Sequence, residues 1–138
     1  MKEYMTMHNQ MKPYLYILKD KIPVPVWDAL EWDKWLRTAD RQVAETYIGE
    51  IRISTVFLSL DHAFLGGPPI LFETMIFNGD LDGYQWRYHT WEEAEQGHED
   101  VVLLVKEYGK AEDQVNAVFN ELQTDLLIRS ITKIKREE

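Results

Sequence analysis

Residues 51–77 read IRISTVFLSLDHAFLGGPPILFETMIF, two apolar runs joined by a loop that contains two glycines and two prolines. β-Branched and aromatic residues dominate the first run, 51–60, and such residues favour a strand over a helix. Side chains alternate between the two faces of a strand, and both faces of this run are apolar near its middle. The second run, 70–77, repeats the pattern and is interrupted by Glu73. The stretch predicts a hairpin of two strands, the first of them central in its sheet and covered on both faces.

The composition is that of one globular domain. A chain of 138 residues, 45% hydrophobic and 28% charged, is long enough to bury one core. It has no cysteine, which excludes disulfides and thiolate metal sites. It shows neither an apolar run long enough for a membrane span nor a secretory signal, so we expect a cytosolic protein without a membrane partner. The formal charge of −9 disfavours direct binding to nucleic acid, since phosphate backbones attract basic surfaces. We expect one domain over 1–138, with 1–12 frayed.

Further strands flank the central pair. Segments 14–18, 41–48 and 84–89 have the composition or the alternation of strands, and Gly49-Glu50 is a two-residue hairpin turn. Residues 19–21 form a charged turn, and Pro23 and Pro25 favour an extended edge or a loop. The sequence therefore predicts an antiparallel sheet of about four strands, connected as a meander.

Three helices complete the predicted α+β fold. One covers about 27–40, where two tryptophans and several aliphatic residues recur at helical spacing. Thr90 and Glu93 form a capping box that opens a second helix, and Gly109 supplies its expected end. A third helix follows over about 111–134. The prediction is a sheet packed with one N-terminal helix and two C-terminal helices.

Polar residues collect near one end of the predicted sheet, where packing alone would not place them. The candidate ligand-binding residues are Asp61, His62, Glu73, Arg87, Tyr88, Trp91 and His98. The aromatic rings can stack on a nucleobase and Arg87 can pair with a phosphate, while carboxylates and imidazoles can hydrogen-bond a ribose or a base edge. The pattern favours a pocket at the loop end of the sheet for a nucleotide-like small molecule.

Simpler structural roles remain open for these residues. Asp61 is a good turn former, because its side chain can accept hydrogen bonds from nearby amides. Glu73 can pair with Arg87 across the sheet, and His98, inside an apolar helical stripe, fits a satisfied core histidine.

Metal and cofactor chemistry has little support in the sequence. His62, Glu73, His89 and His98 are donors that a cation accepts, but their spacing matches no metal-binding signature. Phosphate-binding glycine loops, nucleophile elbows and kinase motifs are all missing. We therefore expect neither a metal nor a cofactor.

Two segments carry a resemblance to a known group of proteins. RQVAETYIGEIRISTVFLSLDHAFLGGPPILFETMIF at 41–77 and RYHTWEEAEQGH at 87–98 are similar to short uncharacterised proteins of bacteriophage and prophage genomes. Stretches like VSTVFLGLDH, GGPP, LFETM and RYxTxxEAxxGH recur in that group. The match covers about Arg41 to His98. The resemblance implies a phage origin and expression in the cytoplasm of the bacterial host, and it supplies no catalytic residues.

Three functions are compatible with these observations. The first is a noncatalytic protein that counters bacterial anti-phage defence by sequestering a nucleotide-like small molecule. The second is an acidic inhibitor of a host defence protein, or a DNA mimic, whose acidic helix face comprises Glu92, Glu93, Glu95, Glu99 and Asp100. The third is a small metal-dependent hydrolase that uses Asp61, His62 and Glu73 as acid–base groups.

The apolar faces of the central strand and the high aromatic content also predict a homo-oligomer, most simply a twofold dimer. A monomer with helices on both sides of the sheet is the alternative.

Overall fold

The computed structural model describes residues 12–137, so the predicted fraying at the N-terminus lies largely outside the described residues. These residues form an α+β fold with a two-stranded and a four-stranded antiparallel sheet, one short helix and one long helix. It divides after Val102 into two compact units, which we describe separately.

The first sheet is a hairpin of β1 (Leu15–Lys19) and β2 (Ile22–Val26). Its turn is formed by Asp20 and Lys21, both with positive φ, as predicted for a charged turn at 19–21. The two prolines pair with β1 as part of an edge strand, where a missing N–H disrupts no further ladder. The predicted first strand is therefore confirmed, and the extended proline segment is its partner.

The short helix α1 spans Ala29–Thr38 and begins where the sequence predicts. Asp28 caps it by accepting a hydrogen bond of 2.9 Å from the Leu30 amide. On its inner side, Trp35 packs edge-on against Phe57, with ring centroids 5.8 Å apart. The Trp32 indole donates a hydrogen bond of 3.2 Å to the Ser59 carbonyl. The two tryptophans thus attach α1 to the end of the central strand.

The four-stranded sheet is the predicted meander. Its strands are β3 (Gln42–Ile48), β4 (Ile51–Phe57), β5 (Phe72–Phe77) and β6 (Gln85–Tyr88), adjacent in chain order and antiparallel. The predicted turn at Gly49 joins β3 to β4, with Ile48 opposite Ile51. Gly49 has a φ of 59°, which glycine adopts without strain.

One face of this sheet is buried. Its inward side chains include Phe57 and Phe72, whose ring centroids lie 5.3 Å apart. Ala94, from the first turns of the long helix, packs in the same cluster. The other face carries half-exposed side chains such as Val56 and Met75. The predicted burial of the central strand on both faces is therefore complete on one face only.

The long helix α2 spans Trp91–Glu137, so the prediction of two C-terminal helices was wrong. The predicted capping box is present: the Thr90 hydroxyl accepts from the Glu93 amide at 3.1 Å, and the Glu93 carboxylate accepts from the His89 amide at 3.0 Å. Gly109 does not end the helix, because its φ is not positive and good helix formers follow it. Within residues 12–137, no helix is long and apolar enough to span a membrane.

Candidate functional site

The loop between β4 and β5, residues 58–71, is organised around the Asp61 carboxylate. Oδ1 of Asp61 accepts hydrogen bonds from the amides of Ala63 at 2.7 Å and Ile70 at 3.1 Å. Oδ2 lies 3.1 Å from the Lys12 ammonium, which also donates to the Gly67 carbonyl at 3.1 Å. One buried carboxylate therefore holds both ends of the loop and its tip.

Asp61 is only 4% exposed. Burial alone would raise the pKa of Asp61, but the hydrogen bonds from the two loop amides and from Lys12 outweigh it and hold that pKa below its ordinary value. The carboxylate is thus stabilised in its charged form: Oδ1 is occupied by two loop amides and Oδ2 by the Lys12 ammonium. Its geometry is that of a loop anchor, the simpler of the two roles that the sequence left open.

Two histidines at the same loop make the same kind of hydrogen bond. The Nδ1 of His62 is 2.8 Å from the Leu60 carbonyl, and the Nδ1 of His89 is 2.8 Å from the Pro69 carbonyl. A carbonyl oxygen only accepts, so each Nδ1 carries the proton. In the neutral ring each Nε2 is then a hydrogen-bond acceptor, and neither Nε2 has a partner among residues 12–137.

Both imidazoles line one cleft of about 320 Å³, which we call the loop cleft. Its lining consists of His62, Ala63, Phe64, Leu65, Gly66, Pro68, Ile70 and His89. The Phe64 side chain is 73% exposed, and its ring centroid lies 5.6 Å from that of His62. The loop cleft thus combines apolar walls, an exposed aromatic ring and two nitrogen acceptors. His89 belongs to this cleft, although the sequence argument considered it only as a metal ligand.

Glu73 and Arg87 lie elsewhere, on the half-exposed face of the sheet. They are opposite each other in the β5–β6 register, and their side chains form an ion pair at 2.9 Å. Glu73 is 13% exposed and Arg87 36%. This is the cross-strand pairing that the sequence left open, and neither residue lines the loop cleft.

Tyr88 and His98 lie on the buried face, in a chain of hydrogen bonds that links α2 to the sheet. His98 is within 2.8 Å of the Thr46 hydroxyl and 2.7 Å of the Thr55 hydroxyl. Thr55 contacts the Thr74 hydroxyl at 2.5 Å, and Thr74 is hydrogen-bonded to the hydroxyl of Tyr88. Each strand of the sheet thereby contributes one hydroxyl, and we call this set the hydroxyl network.

Burial favours the neutral form of His98. Burial lowers the pKa of His98, and the nearby Glu99 offsets this only in part. Burial likewise raises the pKa of Tyr88. A neutral imidazole has one donor and one acceptor, which fits two hydroxyl partners that can each act in either sense. His98 is therefore a satisfied core histidine. The three threonines were missed, although the alternation of the strands places Thr55 and Thr74 among inward apolar residues.

Trp91 occupies the edge of the buried face. Its ring packs perpendicular to Phe72 at a centroid distance of 6.2 Å, and its indole N–H donates to the Glu95 carboxylate. The Lys21 ammonium lies 5.4 Å from the centre of the ring. Trp91 therefore joins the first hairpin to the start of α2.

The seven candidate residues accordingly occupy three places. Asp61 and His62 belong to the loop, Glu73 and Arg87 to the half-exposed face, and the other three to the buried face. Residues 73 and 74 are adjacent in a strand and point to opposite sides, so the sheet itself separates Glu73 from the hydroxyl network. The single recess that the sequence suggested is not formed.

The acidic start of α2 is exposed, as the sequence predicts for a helix face. Several of its carboxylates already accept intramolecular hydrogen bonds: Glu93 from a backbone amide, Glu95 from the Trp91 indole and Asp100 from Gln96. No group of three or more potential metal ligands occurs among the described residues. Comparisons with protein families, with curated proteins and with solved structures gave no match.

Proposed function

We propose that this protein is a noncatalytic binding protein whose loop cleft takes a small planar heteroaromatic molecule, such as the base of a nucleoside or nucleotide. The observation that carries the proposal is the pair of histidines that line one cleft, each with its Nδ1–H on a carbonyl oxygen and with no partner for its Nε2 among residues 12–137. Ligand sites are typically apolar clefts with a few convergent polar groups, and the loop cleft has this composition.

The two Nε2 acceptors complement the N–H donors on the edge of a nucleobase. The exposed Phe64 ring supplies a face on which a base can stack, an interaction that tolerates many heteroaromatic rings. A volume of about 320 Å³ is at the lower end of the range for ligand pockets, about 300–1,000 Å³. It suits one base with its sugar better than a larger dinucleotide.

The loop cleft recognises the base rather than the phosphate in this proposal. The described residues of its lining include no lysine and no arginine, and Arg87 is paired with Glu73 on the half-exposed face. A phosphate group would therefore project away from the cleft. The sequence predicts a nucleotide-like ligand. The lining favours, among such ligands, those whose base supplies most of the contacts.

Binding without catalysis is supported by the same lining, which offers no carboxylate or hydroxyl group among the residues that the structure describes. The nearest carboxylate, that of Asp61, is occupied by two amides and an ammonium. The resemblance to phage proteins suggests the context: sequestration of a host signalling or defence molecule in the bacterial cytoplasm. That role is part of the proposal.

Isothermal titration calorimetry tests the proposal directly. The titrants are adenosine, guanosine, cytidine, uridine, cyclic AMP, cyclic GMP and ADP-ribose. We expect saturable heat with at least one of them, at a stoichiometry of one per chain. No heat with any of these compounds, for protein that is folded by circular dichroism, would overturn the proposal.

A matched pair of variants locates the binding. In His62→Asn the side-chain amide can still donate to the Leu60 carbonyl, but no acceptor remains at the Nε2 position. In His62→Gln an acceptor can reach that position. We expect His62→Asn to weaken binding about tenfold or more, the effect of about 1.4 kcal/mol, and His62→Gln to retain more affinity. Equal affinities for both variants and the original protein would contradict a role for Nε2.

A further inference from the structure

We infer that the C-terminal part of α2, residues 103–137, is a self-association surface that pairs with the same segment of a second copy, and that the two helices run antiparallel. This inference is independent of the ligand proposed for the loop cleft. Three observations carry it: an apolar stripe, its extent and the charge distribution along the helix.

The stripe is formed by residues that recur at spacings of three and four. Its members are Leu104, Tyr108, Val115, Val118, Phe119, Leu122 and Leu126, and all of them are exposed. Residues at this spacing fall on one side of a helix. An apolar stripe of this kind is the surface through which one helix packs against another.

The extent of the stripe matches what a stable dimer needs. Seven such side chains that each expose on the order of 100 Å² present roughly 700 Å², close to the about 800 Å² per partner of standard interfaces. From Leu104 to Leu126 the stripe runs along about 33 Å of helix. A second copy would cover it over this whole length, because both partners bring the same stripe.

The charges favour one orientation of the second copy. Residues 103–125 contain five carboxylates and two lysines, whereas residues 126–137 contain four basic residues and one carboxylate. A parallel pair would place basic ends side by side. An antiparallel pair separates the basic ends and, with the two stripes in full register, places Lys106 and Lys110 level with Asp125 and Glu121 of the second copy. Opposite charges flanking the seam set orientation in paired helices.

Light scattering on the full chain gives the first test. We expect a mass of twice 16.4 kDa at micromolar concentration, and we expect the chain with Phe119→Glu and Leu122→Glu to have the mass of one copy. Leu127→Glu is the matched control, because Leu127 is as exposed as Leu122, 62% against 57%, but lies about 140° around the helix axis from it, at about 100° per residue. It should leave the dimer intact. A monomeric original protein, or a dimer that survives the double substitution, would overturn the inference.

Orientation is tested with single spin labels, which the absence of native cysteine permits. A label at Lys106→Cys lies near one end of the segment, opposite the stripe. Antiparallel pairing with the stripes in full register separates the two labels of a dimer by about 27 Å along the helix axis, at about 1.5 Å per residue, whereas parallel pairing places them at the same level. A short distance between the labels would refute antiparallel pairing.

Discussion

Gly97 and Gly109 both lie inside α2, but they have different surroundings. A Cβ built on Gly97 would come less than 3.0 Å from the ring of Tyr88, whereas one on Gly109 meets nothing within 4 Å. Gly97 therefore lets α2 approach β6 closely enough for Tyr88 to join the hydroxyl network. Gly109 has no comparable packing role. A glycine inside a helix destabilises that helix, so Gly109 weakens α2.

Alanine at these two positions should have opposite effects on stability. Gly97→Ala should lower the free energy of unfolding by roughly 1–3 kcal/mol, since the core must overpack or shift. Gly109→Ala should raise the free energy of unfolding by about 0.5–1 kcal/mol, because alanine favours the helix more than glycine does. Urea denaturation followed by circular dichroism compares them. A Gly97→Ala variant as stable as the original protein would contradict the close contact with Tyr88.

His98 should make stability depend on pH. Because burial lowers its pKa in the folded state, the unfolded chain binds a proton first as the pH falls below about 6.5, the ordinary histidine value. Stability is then full above this pH and declines below it, by at most about 1.4 kcal/mol per pH unit for one group. We expect His98→Gln to be less stable at pH 7.5 but to show a shallower decline between pH 6.5 and 5. Parallel curves for the two proteins would show that His98 is not held neutral.

At the scale of elements, the loop 58–71 is rigid for reasons that single residues explain. Asp61 ties its two ends together through Ala63 and Ile70, and His62 and His89 fasten their rings to its carbonyl groups. The two amides share Oδ1 of Asp61, while Lys12 meets Oδ2. Because the two oxygens have different partners, substitutions at position 61 can distinguish the contribution of the amide hydrogen bonds from that of the charge pairing with Lys12.

Asn and Ala at position 61 should differ. Asp61→Asn keeps an oxygen for both amides but loses the charge and turns an NH2 donor towards the ammonium of Lys12, which is 45% exposed; we expect it to cost about 1 kcal/mol. Asp61→Ala leaves two amides without their acceptor and should cost about 1–3 kcal/mol. Thermal unfolding measures both. Equal losses for the two variants would mean that the charge, not the amide pair, anchors the loop.

The elements also show how far sequence reasoning reaches. Alternation and turn residues predicted the meander correctly, because a strand with an inward face allows one register. The end of a helix at Gly109 was predicted wrongly, since a glycine ends a helix only where the backbone turns left-handed, and residue type alone does not decide that. The single pocket failed for a similar reason: it required side chains such as Glu73 and Tyr88 to converge, although they lie on opposite faces of the sheet. Hydrogen bonds from His62 and His89 to carbonyl groups carry no sequence signal.

At the scale of the whole molecule, the two proposals concern different compact units. The loop cleft belongs to the unit that ends at Val102, and the self-association stripe to the unit that follows it. We therefore expect the double substitution at Phe119 and Leu122 to abolish the dimer while the heat of ligand binding stays the same. Loss of both properties in one variant would show that the cleft depends on the dimer.

Nuclear magnetic resonance of the histidine side chains shows whether the loop cleft binds a base through its two imidazoles. The ring nitrogens of His62, His89 and His98 are followed while the titrants of the calorimetry are added. For at least one of them we predict that the Nε2 signals of His62 and His89 move together and saturate, while the signals of His98 in the hydroxyl network stay in place. Ring signals of His62 and His89 that stay unchanged with every compound would show that these imidazoles do not bind a base.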